Sequence, residues 1–161
     1  MPPLLAPRPV FFLLALTIAV LFSIALYTQY FGGLIPCPLC MTQRFFYILT
    51  AAIAVIAGLH NRRFPIYGWL VALSALAGAG IAGRQVWLQH LPADEVPACG
   101  PSLEYMLQTL PFGDVVVRLF KGDGNCAVVD WTLLGLSMAE WSLLWFLLLA
   151  GVGVWQAVRK R

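Results

Sequence analysis

Charge is what this sequence has least of. Only 11% of its 161 residues are Asp, Glu, Lys or Arg, whereas a soluble domain carries about 25%. Hydrophobic residues make up 61% and the mean hydropathy is +0.84. The deficit excludes an ordinary water-soluble fold and implies an integral membrane protein. Basic clusters are also lacking: the ten Lys and Arg are scattered or stand at the edges of apolar runs, which argues against a nucleic-acid partner. A Rossmann glycine pattern, a P-loop and a further metal-ligand cluster are absent, which argues against a nucleotide or iron–sulfur electron acceptor. No small-x-small cleavage site follows the first apolar run, so that run is expected to be retained as a helix.

What is present is four apolar segments long enough to cross about 30 Å of hydrocarbon: Val10–Tyr27, Met41–Leu59, Phe64–Gly83 and Trp141–Val158. The expected fold is an all-α integral membrane protein, one four-transmembrane-helix bundle over 1–161, with a short loop at about 28–40 and a long one at about 84–140. In the third segment Ser74, Gly78 and Ala82, and again Ala75, Ala79 and Gly83, repeat at the spacing that lets helices pack closely. Trp141 and Trp155 stand near the two ends of the fourth segment, as in an aromatic belt. If the segments alternate, Arg8, Arg62, Arg63, Arg159, Lys160 and Arg161 share one side, six of the ten basic residues. The positive-inside rule makes that side cytoplasmic. All seven acidic residues fall in the long loop, which shares the outer face with the short loop and with all four cysteines.

The chain is organised around Pro36-Cys37-Pro38-Leu39-Cys40-Met41-Thr42-Gln43-Arg44, a C-x-x-C pair at a membrane mouth. Pro36 and Pro38 push the residues before them toward extended backbone, so a helix is expected to start at about Cys40. Cys40 then lies in or beside the first turn, where unpaired N–H groups and the macrodipole favour a thiolate, the reactive form of cysteine. Arg44, four residues on, shares its helix face and adds a positive charge, although an Arg near a helix end commonly just snorkels to the interface. A haem attachment site needs His where Met41 stands, and structural zinc wants a second close pair that Cys99 and Cys126 do not form. A static disulfide over so short a loop contributes little. Redox chemistry is the favoured reading, and the membrane itself supplies a mobile two-electron acceptor, quinone.

Prolines 92, 97, 101 and 111 and the run Gly122-Asp123-Gly124-Asn125 divide the long loop. Between them Phe112–Phe120 is apolar but too short to span; it fits an interfacial segment or an element of a small loop domain equally well. Cys99 and Cys126 flank it, 27 residues apart, and a bond between them would stabilise the loop by roughly 3 kcal/mol. Pro97 and Pro101 hold Cys99 in extended backbone. His90, near the end of the third segment, either anchors that helix at the interface or sits near the acceptor.

The stretch from Gly33 to Cys40 with Gln43-Arg44, the pair Cys99 and Cys126, and the tail from Asp130 to Trp141 together resemble the bacterial disulfide bond formation protein B (DsbB) family over nearly the whole chain. The resemblance implies a four-helix inner-membrane protein-dithiol:quinone oxidoreductase. Such a protein reoxidises a periplasmic thioredoxin-fold oxidase, DsbA, and passes the electrons to ubiquinone or menaquinone. Matched by motif, Cys37–Cys40 and Cys99–Cys126 are the two redox disulfides. Cys40 faces quinone with Arg44 as its electrostatic partner, His90 lines the quinone side, and Cys99–Cys126 exchanges with the soluble oxidase. No role falls to Gln43. The competing readings are a membrane scaffold with two static disulfide staples and a related oxidase dedicated to one specialised partner.

Overall fold

A computed structural model describes residues 6–60, 62–101 and 103–159. Lys160 and Arg161, which enter the orientation argument, lie outside the described residues. Among the described residues four helices are long and apolar enough to cross a membrane: α1 (Pro7–Tyr30), α2 (Pro38–His60), α3 (Phe64–Gln89) and, after the long loop, α6 (Met138–Val158). This is the expected four-helix membrane bundle, with longer helices than the apolar runs suggested. The third reaches Gln89 instead of ending at Gly83, because Arg84, Gln85 and Gln89 find polar partners within the protein. The second begins at Pro38, not Cys40. Proline suits the first helical turn, whose N–H groups have no intrahelical acceptor.

The bundle is held by close backbone approach. A Cβ added at Gly68 would lie 2.7 Å from Ala157 N and 2.8 Å from Gly153 O, and one at Gly153 would lie 2.8 Å from Ala72 N. Only glycine permits this contact of α3 with α6. Ser74, Ala75, Gly78, Ala79 and Ala82 are buried along the same helix, as their spacing predicts, and Gly78 accommodates the Phe146 ring. Gly83 faces open space instead. Thr50 and Ser74 share a buried 2.9 Å hydrogen bond between α2 and α3, so both hydroxyls are satisfied away from water. Large apolar residues such as Leu16, Ile24, Leu73 and Leu148 stay exposed on the outside of the bundle, where lipid is the solvent.

The long loop is structured. It contains α4 (Leu103–Thr109), α5 (Phe112–Lys121), a 3-10 turn at Gly124–Ala127 and a two-stranded hairpin, β1 (Thr132–Leu133) and β2 (Leu136–Ser137). Phe112–Phe120, read as an interfacial segment or an element of a loop domain, is a helix that touches the bundle. Val115 is buried, Thr42 Oγ1 donates to Leu119 O at 3.0 Å, and Arg84 Nε donates to Lys121 O at 2.9 Å. Phe112, Val117 and Phe120 stay exposed. The hairpin turns through Leu134 and Gly135, both at positive φ, and is the one addition to the all-α expectation. It delivers the chain to α6, which opens with a capping box: Ser137 Oγ accepts from Glu140 N at 3.3 Å and Glu140 Oε2 accepts from Ser137 N at 2.6 Å. Ser137 Oγ also donates to Gln89 Oε1 at 2.8 Å, tying α6 to the end of α3.

Candidate active site

The site is built on the start of α2. Cys37 stands just before the helix, and its Sγ accepts from Cys40 N at 3.4 Å, the role an N-cap oxygen usually fills. The Leu39 N–H, another donor without an intrahelical acceptor, turns to the Cys126 sulfur. Cys126 reaches this point because Gly122, at φ 75°, lets the chain turn in against Leu39. It is fully buried in a cluster with Cys37, Leu39 and Leu88. The exposed Cys99 lies in irregular backbone alongside the same turn. Gly124 N donates to Ala98 O and Asn125 Nδ2 to Gly100 O, both at 3.2 Å, so bonds on either side of Cys99 hold its segment against the turn carrying Cys126.

None of the four cysteines is bonded to another in the structure. Cys37 Sγ and Cys40 Sγ are 2.9 Å apart, near enough to close a bond. The Cys126 thiol faces Cys37 rather than pairing with Cys99. The Cys37 thiol is pushed far up from its ordinary value, first by its hydrogen bond to Cys126, then by that to Cys40, and then by burial. Cys126 is held below its ordinary value, first by the hydrogen bond from Cys37, with burial opposing it and the Asp123 and Leu39 backbones assisting. In this cluster Cys37 holds its proton the more tightly and Cys126 is the sulfur favoured to ionise; the thiolate is the attacking species in disulfide exchange.

Two cavities meet at Cys40. A smaller one of about 80 Å³ opens among Gln29, Pro36, Cys37, Gln89, Asn125 and Asp130. A larger, mostly apolar one of about 340 Å³ runs down between Leu21, Phe22, Tyr47, Leu133, Trp141 and Trp145. Cys40, Arg44 and Gln85 line both. Arg44 does not point away to the interface. Its guanidinium donates to Gln29 Oε1 and, at 3.4 Å, to Ala25 O, both on α1, which holds the positive charge over the junction of the cavities. His90 is not brought into the site: it is exposed, its Nδ1 meets Val86 O at 2.8 Å on its own helix, and it lines neither cavity.

Three residues that sequence reasoning passed over belong here: Gln29 beside Arg44, and Gln43 and Gln85, whose amides meet at 2.7 Å (Gln43 Nε2 to Gln85 Oε1). Their signal was present in the sequence. A buried amide in an apolar segment is costly without a partner, so glutamines in membrane spans mark polar sites.

A helical membrane bundle with a cysteine pair at its mouth, a second pair folded onto it and an apolar cavity beneath defines a membrane thiol oxidoreductase. The family model of disulfide bond formation protein DsbB matches residues 7–156. The chain is 45% identical to disulfide bond formation protein B of Hahella chejuensis, over 99% of both chains. It is 50% identical to that of Saccharophagus degradans over 84% of both, and 45% identical to disulfide bond formation protein B 1 of Pseudomonas aeruginosa over 98% of this chain and 99% of the relative. This chain therefore belongs to the DsbB family: it is a multi-pass membrane oxidoreductase of disulfide bond formation. The static scaffold is not favoured.

Proposed function

We propose that the protein oxidises a reduced periplasmic thioredoxin-fold oxidase of the DsbA kind and passes the two electrons to ubiquinone or menaquinone. It would sit in the bacterial inner membrane with both termini cytoplasmic. The observation that carries the reading is the placement of the four sulfurs: Cys99 exposed, Cys126 buried against Cys37, and Cys40 at the mouth of an apolar cavity.

In the oxidised protein, Cys99–Cys126 and Cys37–Cys40 are disulfides. A partner thiolate attacks Cys99, the sulfur within its reach; the Cys99–Cys126 bond breaks and its electron pair leaves on Cys126. Cys126 attacks Cys37; a Cys126–Cys37 bond forms, and the pair from the broken Cys37–Cys40 bond passes to Cys40. The partner's second thiolate resolves the mixed disulfide at its own sulfur, and the partner leaves oxidised. Cys99 then attacks Cys126, which restores the Cys99–Cys126 bond and returns electrons to Cys37.

The apolar cavity has the size of small-molecule sites, about 300–1,000 Å³, and its fit to a quinone rests on an apolar lining with one cation, Arg44, beside one nucleophile, Cys40. A quinone bound there supplies the two-electron acceptor. Trp131, Leu133 and Trp141 line one end of it, and Arg44 presents fixed donors for a carbonyl oxygen. The deciding experiment supplies the purified protein with a reduced thioredoxin-fold partner and follows quinone absorbance. Stoichiometric quinone reduction that needs all four cysteines is expected; thiol oxidation without quinone reduction would refute the reading.

A further inference from the structure

Gln85 is buried near the end of α3, 5% exposed, and so is Gln43 on α2. A buried amide needs hydrogen-bond partners within reach. Gln43 Nε2 donates to Gln85 Oε1 at 2.7 Å. With Gln43 Nε2 as the donor, a reversed Gln85 amide would set two donors against each other. The Gln85 NH₂ group is thereby turned to the sulfurs, with Nε2 3.3 Å from Cys40 Sγ and 3.5 Å from Cys37 Sγ. Gln85 Oε1 lies 3.6 Å from Cys40 Sγ, within reach of an S–H donor. One amide can thus serve both protonation states: its oxygen accepts from a Cys40 thiol, and its N–H donates to a Cys40 thiolate. A neutral donor does this without adding a charge to the apolar mouth.

We propose that Gln85, oriented by Gln43, is a catalytic residue that stabilises the Cys40 thiolate released when the Cys37–Cys40 disulfide is attacked. The role rests on the exchange order given above. As the Cys126–Cys37 bond forms and the Cys37–Cys40 bond breaks, the electron pair settles on Cys40 Sγ, and Gln85 Nε2 donates to it. No proton is transferred in this step. Arg44 supplies the field from the other side of Cys40, held there by α1, so the two donors are independent. Gln43 is the positioning residue.

The test uses full-length protein in which Cys37, Cys99 and Cys126 are replaced by serine, so that Cys40 is the sole thiol. Iodoacetamide alkylation is followed against pH, with neither quinone nor partner present. Gln85→Glu, of nearly the same shape, and Gln85→Leu are each expected to slow alkylation at pH 7 roughly tenfold, the effect of losing a hydrogen bond to a charged group. The difference should close at alkaline pH, where the thiol ionises regardless. Gln43→Leu should give a smaller slowing of the same pH dependence. A merely structural glutamine would leave the midpoint of the profile unmoved, and coincident profiles for all three variants would overturn the assignment. The alkylation measurement is separate from the quinone assay: absent quinone reduction by the unsubstituted protein refutes the exchange scheme, while the pH profile alone decides whether Gln85 holds the thiolate.

Discussion

Replacing Gly124 with alanine should separate the two halves of the sulfur relay without touching a sulfur. A Cβ at this position would lie 2.3 Å from Pro97 O and 3.1 Å from Cys99 N. The first contact is with backbone, which has no rotamer to escape through, so the two segments must part by about 1 Å to restore van der Waals distance. Parting them removes the Gly124 N to Ala98 O bond and strains the Asn125 Nδ2 to Gly100 O bond, each 3.2 Å long. At about 1 kcal/mol per bond, the placement of Cys99 beside Cys126 weakens by about 2 kcal/mol, near thirtyfold in the equilibrium for closing their disulfide. The assay compares two electron donors in the proposed reaction. Oxidation of a thioredoxin-fold partner, which must enter through Cys99, should slow by an order of magnitude or more. Dithiothreitol, small enough to reduce Cys37–Cys40 directly, should support quinone reduction within about twofold of the unsubstituted protein. Unchanged oxidation of the protein partner would refute the claim that this close approach organises the loop pair.

Arg44→Ala should raise the KM for quinone roughly tenfold, the loss of one charged contact, and Arg44→Lys should recover only part of it because an ammonium cannot reproduce the planar fork; steady-state quinone titrations read both. Gly68→Val should destabilise the bundle by about 1–3 kcal/mol, since the backbone of α6 occupies the space a side chain needs; a lowered Tm in detergent, beside an unchanged Tm for Gly83→Ala, would show it. After mild reduction an impermeant maleimide added to spheroplasts should label the exposed Cys99. Protection of Cys99 until lysis would reverse the proposed orientation.

The spans were legible because lipid imposes one simple demand, an unbroken apolar run, and the start of α2 was legible to within two residues because proline restricts backbone locally. What stayed hidden depended on contacts between distant segments. Nothing near Gln85 in the chain shows that Gln43, 42 positions away, turns its amide toward sulfur. The burial of Cys126 could not be read from its polar, turn-forming neighbours, because it results from Gly122 folding against Leu39. His90 was left open between an interfacial anchor and a place near the acceptor. A histidine at a helix end beside a redox centre suggests chemistry, yet its ring turns back to the carbonyl of Val86, the commonplace fate of a polar side chain in a last turn.

The four sulfurs differ in exposure, and in the proposed relay that difference sets the direction. Cys99 is exposed, Cys126 and Cys37 are buried together, and Cys40 opens onto the apolar cavity. In the proposed reaction the thiolate of a folded partner meets the first, and an acceptor dissolved in the membrane meets the last. Between them, the first free N–H groups of α2 are spent on sulfur, Leu39 N on Cys126 and Cys40 N on Cys37. An electron pair moving inward is therefore met by oriented donors at each step, where bulk water would otherwise be needed to solvate the charge. The same burial limits wasteful exchange. A folded partner joined to Cys99 gains no direct path to Cys37, because Cys126 and Leu88 pack against it. The loop disulfide can then act as the port through which partner electrons enter, and the apolar cavity as the place where they leave.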